Sequence, residues 1–162
     1  MFFTDPRYRV WLLASIAADV LILDQITKWL VEKHLLLHTS KSVLPFFSLT
    51  HVWNTGASFG MFQDSNRAFI VVTVVILAAL IASAKHLSSE GTLTAAGLGL
   101  VMGGAVGNLA DRVRVGAVID FLDFYWGSHH WPAFNVADSA ICAGVGLMFL
   151  QNFHGRQKNA QS

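Results

Sequence analysis

In the stretch 103–138, GGAVGNLADRVRVGAVIDFLDFYWGSHHWPAFNVAD, four aspartates, two arginines and two asparagines stand at or between the ends of two apolar segments. Ionisable side chains at membrane depth are costly, so such a cluster is a candidate functional site. If Val118-Ile119-Asp120-Phe121-Leu122-Asp123 is extended, its side chains alternate and the two acids point to opposite faces. Should Asp120 lie over the end of the helices, it can approach Asp138. Two neighbouring carboxylates are what general acid/base hydrolysis of an amide requires: one takes a proton from water while the other, protonated, polarises the carbonyl. Such a pair shares one proton, because two like charges a few ångströms apart do not both ionise. The rival account is a buried polar network that only holds helices together. Asp111 and Asp123 compete for the same role. Arg112 and Asn108 beside Asp111 suit an ion-paired structural acid, but spacing alone does not choose among the four.

The 162 residues are 54% hydrophobic and 13% charged, with a mean hydropathy of +0.51, a composition that points to a membrane protein of one domain. A net charge of +1 with scattered basic residues offers no field for nucleic acid, and that class is set aside. Cys142 is the sole cysteine and sits in an apolar run, where it reads as a small hydrophobe; no intrachain disulfide is possible.

Four spans must position the acids. Segments 10–30, 68–84, 93–112 and 133–153 are each long enough, or nearly so, to cross a hydrocarbon core that takes about 20 helical residues. The chain start, with Arg7, Arg9 and the small residues Ser15, Ala17 and Ala18, imitates a secretory signal. Cleavage there would remove half of the first span, so that span is expected to stay. Asp24 and Lys28 stand at i, i+4 near its end, on one face; the plain reading is an ion pair with the lysine snorkelling to the interface. The third span carries Ala95, Gly99, Gly103 and Gly107 at successive i+4 positions, a ladder of small residues that admits a close neighbour and ends at Asn108, Asp111 and Arg112. Pro132 opens the fourth, with Asn135 and Asp138 in its first turns.

Between the first two spans, Phe47, Leu49, His51 and Trp53 alternate with Ser48, Thr50 and Val52 in strand fashion, and Asn54-Thr55-Gly56 is turn chemistry expected to fold 57–62 back as a partner. The fold class is therefore an all-α membrane protein, four transmembrane helices with a small β-element at about 42–62 and a loop at about 113–132. Lys and Arg are nearly balanced between the two ends, so charge does not orient the bundle.

His34 with His38, and His129-His130, imitate metal pairs, but no third ligand has the right spacing and no HExxH pattern is present; no metal is expected. Nothing supports a serine hydrolase or a nucleotide enzyme, since G-x-S-x-G, P-loop and dinucleotide-turn patterns are absent. Two rivals to a peptidase remain: a small proton-coupled transporter relaying protons through intramembrane aspartates, and a non-enzymatic scaffold held by the glycine ladder.

The chain resembles the signal peptidase II family, the bacterial lipoprotein signal peptidases. The resemblance is carried by Asp24-Gln25-Ile26-Thr27-Lys28, by Asn54-Thr55-Gly56-Ala57-Ser58-Phe59-Gly60, and by GGAVGNLADR ending at Arg112. Gly116-Ala117-Val118-Ile119-Asp120-Phe121 and Phe134-Asn135-Val136-Ala137-Asp138 complete it. It implies an aspartic endopeptidase of the bacterial inner membrane, with both termini cytoplasmic, an extracytoplasmic β-element and the site towards the outer leaflet. Asp120 and Asp138 would be the catalytic dyad. Asn54, Gly56, Asn108, Arg112, Asn135 and Ala137 would line or support it, with Asp24 and Lys28 in the structural or substrate-positioning set and Asp111 structural. The implied substrate is a prolipoprotein whose cysteine carries a diacylglyceryl group, presented within membrane lipid and cut before that cysteine by water, without a cofactor. Globomycin-type cyclic peptides would occupy the same groove.

Overall fold

A computed structural model of the protein describes residues 6–56 and 65–159. The order is α1 (Pro6–His34), β1 (Ser40–Leu44), β2 (Phe47–Asn54), α2 (Asn66–Ser89), α3 (Thr92–Arg114), β3 (Val118–Trp126), β4 (His129–His130) and α4 (Val136–Asn159). All four helices are long and apolar enough to cross a bilayer. They extend past the uncharged runs because the polar turns at their ends, such as Glu32-Lys33-His34 on α1 and Asp111-Arg112 on α3, remain helical. Side chains such as Trp11, Val71, Val75 and Phe149 lie exposed on the outer surfaces, as expected where the solvent is lipid rather than water. The protein is a multi-pass membrane protein.

The third helix is the one the others pack on. Its glycine ladder faces α1: a Cβ on Gly99 would fall 2.7 Å from the carbonyl oxygen of Leu13, and one on Gly103 2.6 Å from that of Ala17. A second stripe, absent from the sequence reading, faces α4. There Gly97 meets Gly144 and Gly104 meets Ala137, and a Cβ added to either glycine would fall within 2.6 Å of its neighbour's carbonyl oxygen. With no hydrophobic drive between helices in lipid, this close van der Waals fit holds the bundle together.

The sheet differs from the expected hairpin. Residues 57–62, the predicted partner of the strand, lie outside the described residues. The strand β2 has neighbours on both edges, in the antiparallel order β1-β2-β3-β4. β1 escaped detection because all five of its residues are exposed, leaving no inside/outside alternation to read. The stretch expected as a loop contributes β3, whose first four residues are all buried. Register between β2 and β3 sets Val52 opposite Asp120 and Asn54 opposite Val118. A bulge between Leu49 and Val52 turns His51 towards the end of α1, where its Nδ1 hydrogen-bonds the carbonyl oxygen of Leu35. Strand β3 follows α3 directly and is bridged to Phe134 just before α4, so Asp120 hangs over the ends of both helices.

Candidate active site

Asp138 occupies its place because of how α4 begins. The backbone N–H of Asp138 donates to Asn135 Oδ1 at 2.9 Å, and the backbone N–H of Asn135 donates back to Asp138 Oδ2 at 3.2 Å. This is a reciprocal capping box built from an Asn-x-x-Asp sequence. The same asparagine reaches the other acid, donating from Nδ2 to Asp120 Oδ1 at 2.8 Å. Asn54 Nδ2 donates to Asp120 Oδ2 at 3.0 Å, and Asn108 Nδ2 to Asp138 Oδ1 at 2.8 Å. Each of the four carboxylate oxygens thus accepts one N–H. Both acids line one cavity of about 230 Å³, together with Gly56, Phe69, Arg112 and Ala133.

Asp120 is 3% exposed. Burial, then the charge of Asp138, push its carboxyl up to about 7, against the pull of the Asn54 and Asn135 donors. One acid able to hold a proton near neutrality beside another is the arrangement that general acid/base chemistry uses.

Arg112 forms a wall of this cavity. Its guanidinium donates to the carbonyl oxygen of Gly56 at 2.7 Å and to Asn66 Oδ1 at 3.3 Å, and lies 4.4 Å from the ring centroid of Phe69. It fixes the turn in which Gly56 N–H donates to Asn54 Oδ1 at 3.1 Å, the local bond expected of an Asx-turn. It does not pair with Asp111, contrary to the sequence reading. Lys28 does, at 2.7 Å, while also holding Asp24 at 2.8 Å and Asn108 Oδ1 at 3.0 Å. The lysine is 1% exposed, so it does not snorkel; it is enclosed within the bundle.

The Asp24–Lys28–Asp111 cluster joins the site's scaffolding. Asp24 Oδ1 accepts the backbone N–H of Ala137 at 2.9 Å, and Asp111 Oδ2 that of Ile119 at 3.3 Å. Each carboxylate therefore holds the residue immediately before one of the two cavity acids, Asp138 and Asp120. Gln25, quoted in the motif but assigned no role, donates to both Asp24 and Asp111. Its neighbourhood to Asp24 and Lys28 was the available signal. Asn66, Phe69 and Ala133 carried none. Asp123, the remaining competitor, points away and pairs with His130 Nδ1 at 2.8 Å. Among the described residues no group of three or more His, Cys, Asp or Glu is arranged to hold a metal ion.

Comparison with known proteins bears on this geometry. Residues 16–154 match the family described as signal peptidase (SPase) II. The chain belongs to the signal peptidase II family. It is 46% identical to the lipoprotein signal peptidase of Geobacter metallireducens over 160 residues, covering 96% of this chain and 98% of that one. The Bacillus pumilus lipoprotein signal peptidase is 38% identical, with coverage of 91% and 96%. Among solved structures, a bacterial membrane enzyme determined by the in meso method superposes with a TM-score of 0.80 at 30% identity, covering 90% of each chain. A second such enzyme gives a TM-score of 0.73 at 32% identity, covering 85% of this chain and 90% of that one. A signal peptidase II is a peptidase, and neither family nor neighbours support a transporter.

Proposed function

We propose that this protein is an aspartic endopeptidase that removes signal peptides from diacylglyceryl-modified prolipoproteins, cutting before the lipidated cysteine. The observation that carries the aspartic assignment is the matched pair of donors on each of Asp120 and Asp138 inside one cavity. The substrate class rests on the family and on the relatives' name.

In the proposed reaction Asp138 takes a proton from water as the water oxygen attacks the scissile carbonyl carbon. Asp120, holding the shared proton, donates it to the carbonyl oxygen. Collapse of the tetrahedral intermediate breaks the C–N bond. The proton on Asp138 passes to the departing nitrogen, and the hydroxyl proton returns to Asp120. The pair ends in its starting state, with no covalent enzyme intermediate and no cofactor.

The proposal extends to placement: a bacterial inner-membrane enzyme with both termini cytoplasmic, the sheet outside and the cavity towards the outer leaflet, so that peptide is held above the bilayer while acyl chains stay in membrane lipid. Globomycin-type cyclic peptides are expected to compete for the cavity. The test is cleavage of a diacylglyceryl-modified precursor peptide by the purified protein in detergent, with an unlipidated peptide as control. Cutting both equally overturns the substrate assignment. Chelator-sensitive cutting that survives loss of either aspartate overturns the mechanism.

A further inference from the structure

We infer that Lys28 is a positioning residue for the dyad: its ammonium fixes the side-chain amide of Asn108 so that the NH2 group, and not the carbonyl, faces Asp138. Three asparagines, Asn54, Asn108 and Asn135, surround the two acids. An amide can present either end, and its partners decide which. Asn54 Oδ1 accepts the backbone N–H of Gly56, and Asn135 Oδ1 that of Asp138. Those two amides are locked by main-chain donors. Among the described residues no main-chain donor reaches the Asn108 side-chain oxygen. Its oxygen is set by Lys28 Nζ at 3.0 Å and by Asn135 Nδ2 at 3.2 Å. An ammonium can only donate, so the atom facing it must be the carbonyl oxygen.

All three ammonium protons are committed, to Asp24, Asp111 and Asn108. Asp24 and Asp111 therefore hold the lysine in place, and the lysine holds the amide. The amide delivers an N–H to Asp138 Oδ1, where it favours the ionised form that accepts a proton from water. A carbonyl turned towards Asp138 would instead call for a protonated carboxyl. The charged and titratable groups around this relay are Asp24 and Lys28 on α1, Asp111 and Arg112 on α3, and Asp120 on β3. Of these only Lys28 touches the amide.

The inference rests on the aspartic reading above, and its test begins by recording the wild-type pH–activity profile and the inactivity of Asp120→Asn and Asp138→Asn. If those fail, the dyad itself falls. With them in hand, Lys28→Met, Asn108→Ala and the double variant are compared for kcat, KM and the acidic limb of the profile. Losing one charge-assisted N–H donor is expected to move that limb up by about one to two pH units. KM for the lipidated peptide should hold within about twofold, since the amide faces the acid rather than the substrate. In the Asn108→Ala background Lys28→Met should move the limb little further, because the lysine acts through the amide.

A limb shifted equally by Lys28→Met in both backgrounds overturns the inference, because the ammonium would then act on Asp138 directly through its charge. Activity lowered evenly at all pH values in a folded variant overturns it too, leaving Lys28 a purely structural role. Where Lys28→Met does not fold, Lys28→Met combined with Asp111→Asn removes one of the two orphaned charges and carries the same comparison.

Discussion

Two pairs of aspartates sit at the same end of this bundle and differ in what lies between them. Asp24 and Asp111 share one buried ammonium, with Lys28 Nζ at 2.8 and 2.7 Å. Asp120 and Asp138 share an asparagine, and among the described side chains no cation hydrogen-bonds either of them. An ammonium gives both of its carboxylates a counter-charge within hydrogen-bonding distance. A neutral amide gives direction without charge, so the second pair must settle its own repulsion by holding a proton. The difference between the brace and the proposed reactive pair is thus one lysine, placed 80 residues away in sequence from the asparagine it hydrogen-bonds.

The largest effect follows from breaking the proposed reactive pair. Asp120→Asn or Asp138→Asn is expected to lower turnover of a lipidated precursor by at least about 10³-fold, since each removes one partner of a single acid/base step. Both proteins should still fold. The braced cluster should fail first in stability. Lys28→Met leaves two buried carboxylates without their cation, which costs about 3–5 kcal/mol of stability; Asp111→Asn takes one of two anions from the ammonium and destabilises by less, since Asp24 still pairs with it. Thermal unfolding in detergent beside single-turnover cleavage checks the contrast. Full turnover in a well-folded Asp138→Asn protein would shift the chemistry to another acid.

How far the sequence foretold this depends on which physical rule was asked to speak. That Asp120 and Asp123 point to different sides if 118–123 is extended was legible, because a strand's period of two needs no knowledge of its neighbours; that this stretch, expected as a loop, is a strand was not, since its first four residues are all buried. The apolar runs fixed four helices for the same local reason. Adjacency misled: Asp111 and Arg112 are consecutive on a helix, where neighbouring side chains point about 100° apart, and they face different partners. The i, i+4 pair of Asp24 and Lys28 was legible, but its burial was not, since that depends on α3 closing over it through Gly103 and Gly107. Strands β1 and β4 left no trace because they are exposed and short.

A smaller effect separates the pairs by pH. Asp120 carries a folded-state pKa raised to about 7, so the folded protein binds a proton there that the unfolded chain releases at ordinary carboxylate pH. The sign follows: the stabilising contribution is complete below the unfolded pKa and is lost as pH rises through about 7. A loss on the order of 1–4 kcal/mol is expected between about pH 4 and pH 8. Activity should fall across the same alkaline limb as the acid is lost. Unfolding at a series of pH values should show this slope in the wild type and its absence in Asp120→Asn, which has no proton to release at that position. An unchanged slope in the variant would assign the titration to a different group.

The smallest effect comes from a third ion pair that joins the same two helices. Arg114 donates to both carboxylate oxygens of Glu32, at 3.2 and 2.8 Å, so α1 and α3 are bridged here as they are by Lys28 and Asp111. The difference is water: the Arg114 side chain is 48% exposed, that of Lys28 1%. In high dielectric the attraction is weak and the cost of ordering two long side chains offsets most of it, so exposed pairs contribute about 0–1 kcal/mol. Glu32→Gln should therefore lower stability by less than about 1 kcal/mol and leave turnover unaltered. Salt near 1 M should weaken even that, because the screening length falls there to about 3 Å, comparable with the separation of this exposed pair, while buried charges are screened far less. Measuring Glu32→Gln and Asp111→Asn at low and high salt sharpens the comparison to one variable. If both losses shrank together with added salt, Lys28 would have to be reached by solvent, and the brace would differ from the surface pair only in degree.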